Sequence, residues 1–331
     1  MKSSLPKKKG GTLVIQPFPG IGDIIWYLPY LRAIARVEGP ITLLTKSRSA
    51  TKKWLLDDPL IEDIIYLDRH KFMAMFLKIR RRHFQKSWTL HRSFSHAALT
   101  FLAGIPERLG LGYGLQRYML SSPPYLSHEA KSCHMISQLN QFFTLVDQGK
   151  EYYLRPEDQV PPLCPQAHQD IIQKYSHLSR PWICFGIGAS EDDKRWPASH
   201  FIDLGALISE KSLGTIFLCG SEAEESQIQA VEKFLRPLSS QVQCATDLSL
   251  RQAFALMKEA DLYIGNDTSL LNIAACFGTE AVGIFGGTKP LSYVPTIKAM
   301  IPSLDVKLGK EGMASILPKQ VFEFLKHNHY I

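Results

Sequence analysis

The hydrophobic positions of this chain alternate between short apolar runs and helical stripes. Thr12-Leu13-Val14-Ile15 reads as a strand, closed by the turn Pro17-Phe18-Pro19-Gly20. Apolar residues then recur at helical spacing over 22–36, interrupted by Pro29. Residues 41–44 form a second strand and 64–67 a third, with a helix expected around 49–56 between them. A further helix is expected over 71–82, and its basic C-terminal end suits the helix dipole. After a gap the rhythm restarts. Strands are expected at 182–185, 214–219, 260–264 and 281–285, and helices at 201–210, 222–235, 250–259 and 270–277. Such a βαβα rhythm implies parallel sheets with helices on both faces.

The gap carries its own signal. Residues 155–166, RPEDQVPPLCPQ, hold four prolines in twelve positions. Proline lacks a donor and clashes inside a helix, so this stretch reads as a linker. The expected organisation is an α/β domain over 1–155, a linker over 156–168 and a second α/β domain over 169–315. An amphipathic helix over 316–331 is expected to pack back on the first domain. Two such halves imply a cleft. In open α/β sheets ligands bind beyond the carboxyl ends of strands. Three glycine-rich turns fall at such ends, at 19–23, 186–190 and 265–269, and are expected to face that cleft.

Charge narrows the partners. The net charge is +7, which points to an acidic partner such as a phosphorylated substrate, an anionic membrane or nucleic acid. The cations cluster in the first half, at Lys7-Lys8-Lys9, at Lys46, Arg48, Lys52 and Lys53, and at Arg80-Arg81-Arg82. No RNA- or DNA-binding signature accompanies them, so nucleic acid is not expected. No apolar run reaches the length of a membrane span, and the start lacks the apolar core of a secretory signal. The six cysteines are scattered without a CxxC pair, which suits a reducing cytoplasm and argues against a zinc site.

Three segments can carry chemistry. The richest is 263–290, YIGNDTSLLNIAACFGTEAVGIFGGTKP, which reads as strand, polar turn, helix, strand and glycine loop. A helix start offers unpaired N–H groups and partial positive charge, a ready site for a phosphate. Asp267 or Thr268 could instead serve only as a cap. The second segment is Gly186-Ile187-Gly188-Ala189-Ser190, followed by Lys194. Small residues such as Gly188 let a ligand approach the backbone, Ser190 can donate to a phosphate oxygen, and Lys194 can neutralise an anion or pair with Asp192 or Asp193. The third is Gly20-Ile21-Gly22-Asp23. It lacks the third glycine of a dinucleotide fingerprint, having Ile25 there. What remains is a carboxylate at a strand-to-helix turn, suited to capping or to work as a general base. Asp192-Asp193 is not a DxD motif and no metal cluster is expected.

Taken together, the GD turn with Pro29 six residues on, D-x-K-R-W-P-x-x-x-F from Asp192 to Phe201, and N-D-T-S followed by F-G-x-T-x-P resemble one family. It is glycosyltransferase family 9, the ADP-heptose:lipopolysaccharide heptosyltransferases. The resemblance spans nearly the whole chain and includes Arg108-Leu109-Gly110. It implies a GT-B fold of two Rossmann-like domains facing a central cleft and an inverting, metal-independent transfer of a heptose. The donor would be an ADP-sugar used as co-substrate, with no other cofactor. The acceptor would be phosphorylated lipid A and core oligosaccharide at the inner face of the inner membrane. Asp23 matches the catalytic base and Lys194 the lysine on the donor diphosphate. Gly188, Ser190, Asp267, Thr268, Ser269 and Leu270 match the donor site, and Glu224 the carboxylate on the ribose, with Glu222 and Glu225 as neighbouring registers. Gly22, Lys46, Arg48, Lys52, Lys53 and Arg108 fall to the acceptor side. Ser269 and Asn272 depart from the family's usual Gly and His. Two other readings fit a chain of this design: a sugar-nucleotide 2-epimerase, and a non-catalytic binder of nucleotide sugars.

Overall fold

The apolar runs of the first half become a parallel sheet in the order β3-β2-β1-β4-β5. Its strands are β1 (Thr12–Ile15), β2 (Ile41–Lys46), β3 (Ile61–Leu67), β4 (Lys86–Thr89) and β5 (Glu107–Gly110). The structure is a computed structural model. It describes residues 10–68, 70, 72–147, 151–211, 214–238, 241–290 and 296–331. The Lys7–Lys9 cluster therefore lies outside the described residues.

Alternating strand residues feed two cores. Leu13, Ile15, Leu44 and Ile65 point to one face, where α2 (Phe72–Arg81) supplies Met75 and Ile79 and α3 (Phe94–Leu102) supplies Leu99. On the other side α1 (Ile21–Glu38) packs with α4 (Met135–Val146). Tyr30 donates to Asn140 Oδ1 at 2.6 Å, and Trp88 of β4 stacks on Phe143 at 5.8 Å. α1 runs unbroken through Pro29, whose ring is buried beside Leu28, Tyr30 and Leu31. The helix expected at 49–56 is instead three successive 3-10 turns, Ser47–Ser49, Thr51–Lys53 and Leu55–Asp57. The cause is local. Ser49 Oγ bonds to Lys46 O at 2.6 Å, and Ala50 takes a left-handed φ of 50°, both of which compete with a continuous helix.

The chain divides into two units at Pro162/Leu163, inside the expected linker. The first half of that linker belongs to the first unit. Pro156–Gln159 forms a 3-10 turn tied to α1, where Arg36 holds both oxygens of Asp158 at 2.7 Å and Arg32 holds the carbonyls of Asp158 and Val160 at 2.7 Å. Pro165 opens α5 (Pro165–Tyr175) in the first turn, where its missing N–H costs nothing.

The second unit has a six-stranded parallel sheet ordered β11-β10-β9-β6-β7-β8. Its strands are β6 (Trp182–Gly186), β7 (Thr215–Cys219), β8 (Val242–Cys244), β9 (Leu262–Asn266), β10 (Glu280–Ile284) and β11 (Ile297–Met300). Helices α6 (Ala198–Ser209), α7 (Glu225–Leu235), α8 (Leu250–Glu259) and α9 (Ser269–Phe277) fill the crossovers, and α10 (Lys310–Ser315) follows β11. The last helix, α11 (Pro318–His327), does not take the place expected on the first domain. Its apolar stripe, Val321, Phe322 and Leu325, is buried in the second unit's core with Phe201, Leu204 and Ile208 of α6.

Both sheets wind outward from a central strand. In the first unit β1 has β2 on one side and β4 on the other, and in the second β6 lies between β9 and β7. Crossovers leave such a strand in opposite directions, which opens a crevice at its carboxyl end. The turn at 19–23 stands at one switch point. The turns at 186–190 and 265–269 stand side by side at the other, because Gly186 pairs with Gly265 across β6 and β9.

Candidate active site

In the first unit the crevice is built around the start of α1. Gly20 is the residue before the helix, and Asp23 in the first turn folds back so that its Oδ2 accepts from Gly20 N–H at 2.8 Å. A Cβ on Gly20 would lie 2.8 Å from that oxygen, so glycine is what allows the approach. Asp23 is therefore a cap, as its position suggests, but only half of its carboxylate is used. Oδ1 takes no hydrogen bond among the described residues. Burial raises the Asp23 pKa above its ordinary value, and the Gly20 bond, His134 and Lys46 pull back against that. A general base gains basicity from such a shift.

His134 and Lys46 act on the carboxylate through their charge from other elements. Lys46 ends β2, and His134 opens α4, its Nδ1 accepting from Ile136 N–H at 3.3 Å. Burial holds His134 below its usual pKa, with Asp23 pulling it up. His91, just past β4, is pushed down to about 4 by burial, helped by His96, Arg92 and Lys46, and so stays neutral at physiological pH. His91 and His134 were not singled out in the sequence. Nothing local marks them, because only the sheet order brings the ends of β1, β2 and β4 to one crevice.

Of the expected acceptor residues, Gly22 and Lys46 stand with Asp23. Arg48, Lys52 and Lys53 are exposed on the 3-10 turns after β2, where Lys52 Nζ lies over the Tyr66 ring at 4.8 Å. Arg108 requires a correction. It sits at the amino end of β5, the opposite edge of the sheet from Asp23. Its guanidinium donates to Met119 O at 2.7 Å, to Pro106 O at 2.9 Å and to Ile105 O, which makes it a bracket for the loops around β5.

In the second unit, Asn266 organises the crevice. Fully buried, it accepts from Trp196 N–H at 2.9 Å and donates to Ile187 O at 2.7 Å. One side chain thus joins β9, the glycine turn after β6 and the entry to α6. Arg195 tightens the same turn by donating to Ala189 O at 2.9 Å. Gly188 faces Glu224, whose carboxyl carbon would lie 2.9 Å from a Cβ there. Of the three neighbouring carboxylates Glu224 is the half-buried one beside Gly188, while Glu222 and Glu225 are exposed. Glu224 in turn accepts from Ser221 N–H at 2.8 Å. Ser190 is exposed in the turn and makes no hydrogen bond with the described residues.

The start of α9 carries no side-chain cap. Thr268 is the N-cap residue, yet its side chain makes no capping bond. Asp267 does not cap either, since its Oδ2 accepts from Thr288 Oγ1 at 3.0 Å in the loop after β10. The first N–H groups of α9 are thus left to solvent or a ligand. Lys194 stands close by. It pairs with Glu191 at 3.0 Å, not with Asp192 or Asp193, and its charge is felt at Asp267. Burial raises the Asp267 pKa, while Thr288 and Lys194 lower it and Glu191 adds to the rise. Asn272, in the first turn of α9, donates to Thr268 O at 3.2 Å and leaves its buried Oδ1 without a partner among the described residues.

Gly287 presses this arrangement together. A Cβ there would lie 2.3 Å from Asp193 O and 3.1 Å from Lys194 Cα, a clash with backbone that no rotamer relieves. Gly287→Ala is expected to cost about 1–3 kcal/mol of stability by overpacking. If the 192–194 turn and α9 hold the ADP-sugar expected from the family resemblance, it should weaken ADP binding by roughly tenfold by shifting Lys194 away from α9. Thermal melts and calorimetry check both, and unchanged ADP affinity would show that the position of the 192–194 turn is immaterial to binding.

The model of glycosyltransferase family 9 (heptosyltransferase) matches residues 72–308. The chain belongs to this family. Lipopolysaccharide heptosyltransferase 2 of Salmonella typhimurium is 26% identical over 273 residues, 75% of this chain and 76% of that protein. The structure of the E. coli ADP-heptose lipopolysaccharide heptosyltransferase II superposes with a TM-score of 0.74 at 19% identity, over 96% of this chain and 98% of that one. E. coli heptosyltransferase WaaC, solved with ADP-2-deoxy-2-fluoro heptose, gives 0.72 at 15% identity over 96% and 99%. These likenesses establish the GT-B fold, and membership of family 9 makes the chain a glycosyltransferase. The epimerase reading is thereby set aside.

Proposed function

We propose that this family 9 enzyme transfers a heptose from an ADP-sugar to the lipopolysaccharide core with inversion at the anomeric carbon. The observation that carries the donor half is the start of α9, a nine-residue helix whose first N–H groups are left uncapped next to a lysine, at a topological switch point. Relatives named for heptosyl transfer, one solved with an ADP-heptose analogue, support the choice of sugar and nucleotide.

In this reading Asp23 Oδ1 takes the proton of an acceptor hydroxyl. The oxygen attacks the anomeric carbon as the bond from that carbon to the diphosphate oxygen breaks, and ADP leaves with the electron pair. Lys194 and the N–H groups of Ser269 and Leu270 face the charge that builds on the diphosphate. Glu224, beside Gly188, is placed for the ribose hydroxyls. These groups neutralise the leaving group without a metal. Lys46 holds an acceptor phosphate close to Asp23. The enzyme works in the cytoplasm, peripheral to the inner face of the inner membrane. Its net charge of +7 supports attraction to an anionic surface, and no helix among the described residues is long and apolar enough to cross a membrane.

The test is direct. Purified protein, ADP-heptose and a core acceptor lacking the terminal heptose are incubated with a chelator, and mass spectrometry should show one heptose added. ADP binding without any transfer would support the non-catalytic reading instead.

A further inference from the structure

One side chain of the Asp23 crevice is held firmly in place with no task in the transfer itself. His91 follows β4, the strand beside β1. Its backbone is tied to α1 and to β5. Tyr27, one turn beyond Asp23 on the same face of α1, donates to Leu90 O at 3.2 Å. Gln116, fully buried, donates to His91 O at 2.7 Å and accepts from Gly112 N–H at 2.8 Å, which joins the turn after β4 to the turn after β5. The imidazole is fixed as well. Phe18, in the turn that leads into α1, meets it edge-on at 5.1 Å and lies 6.1 Å from the Tyr27 ring. The spacing between His91 and Asp23 is thus set by the fold before any ligand arrives.

The same contacts fix the tautomer. His91 Nδ1 accepts from Ser93 N–H at 3.1 Å. A peptide N–H can only donate, so Nδ1 carries no proton and the ring's N–H is at Nε2. Nε2 makes no hydrogen bond with the described residues, and the side chain is only half-buried. Burial, with His96, Arg92 and Lys46 adding to it, keeps the ring uncharged at neutral pH. An uncharged ring with a single N–H suits a hydroxyl or ring oxygen of a sugar, whereas a phosphate suits Lys46. A residue that only closed the turn would need Nδ1 alone.

We infer that His91 binds the acceptor sugar, its Nε2–H donating to a hydroxyl or ring oxygen beside the hydroxyl that Asp23 deprotonates. Lys46 then holds the acceptor by charge and His91 by direction. Because the ring is ordered in advance, little conformational freedom is lost when the sugar arrives. This assignment rests on the proposal that the first unit takes the acceptor.

Three variants separate sugar binding from turn closure. His91→Asn puts an oxygen where Nδ1 was and keeps the Ser93 bond, but cannot reach as far as Nε2. His91→Gln reaches as far as Nε2 with an N–H and gives up the turn bond. His91→Phe keeps a ring against Phe18 and has neither. The full chain, saturated with ADP, is titrated calorimetrically with deacylated core oligosaccharide lacking the terminal heptose. The Phe and Asn variants should bind it roughly three- to tenfold more weakly, the worth of one neutral hydrogen bond, and the Gln variant should recover most of the loss. The acceptor KM should rise in the same order. Wild-type circular dichroism and ADP affinity in all three show that they fold. Wild-type acceptor binding in the Asn or Phe variant, or a loss in the Gln variant as large as in the Asn variant, would overturn the inference. A wild-type protein that binds the oligosaccharide but transfers no heptose would sink the proposed reaction and leave His91 judged by the binding series. One that binds ADP but no core saccharide would overturn His91's role together with the acceptor assignment.

Discussion

Asp23→Asn is expected to lower turnover by roughly 10²–10⁴-fold, the usual worth of a general base. It should leave ADP affinity unchanged, since the donor groups belong to the other unit. Stability separates this outcome from a lost cap. The asparagine Oδ1 can still accept from Gly20 N–H, so the cap survives. The linkage has a definite sign. A carboxyl whose pKa is raised by folding contributes stability that is full below its unfolded value and lost as pH climbs through the folded one. At neutral pH the ionised Asp23 therefore costs stability, and Asn removes that cost. The variant should melt at or above the wild-type temperature while turning over poorly. In the wild type, the acid limb of the rate profile should lie at higher pH than an ordinary aspartate would give. Near-wild-type turnover in the variant would reduce Asp23 to a helix cap.

Lys194→Ala is expected to weaken ADP and ADP-sugar binding by about 1.5–3 kcal/mol, or roughly 10–150-fold, through loss of a charge-assisted contact. Its effect on stability should be small. The Glu191 partner is more than half exposed, and such pairs contribute about 0–1 kcal/mol. A second readout belongs to Asp267. Lys194 lowers the pKa of that carboxyl, so its removal should let Asp267 take up a proton at higher pH. Calorimetry across pH tests both, and unchanged affinity would return Lys194 to its surface pair with Glu191.

The α/β rhythm of both halves was legible because β1, β2, β6 and β9 are buried on both faces and read as continuous apolar runs. β4 (KSWT) and β5 (ERLG) were not, since four-residue strands with two or three polar members are made by pairing and carry little pattern of their own. The turn at 186–190 and the start of α9 could be placed together because both follow strands and both carry glycine. Their adjacency was fixed only by the order β9-β6, which no local signal encodes. Arg108 misled for the same reason. Its R-x-G context was read as a site, but the register sets it at the wrong edge of the sheet. His91 and His134 entered the crevice unannounced, 43 residues apart in sequence and joined there only by tertiary structure.

The uncapped start of α9 also changes what mutation can see. In the function proposed, the groups that meet the diphosphate there are peptide N–H donors, which every residue except proline carries. Side-chain scanning across Thr268, Ser269 and Leu270 is therefore nearly blind to them. In that reading serine at 269 presents the same donor as the glycine expected from the family resemblance, because the anion's partner is the main chain. Drift in this turn can proceed silently, so variation at these three positions is poor evidence for a change of donor.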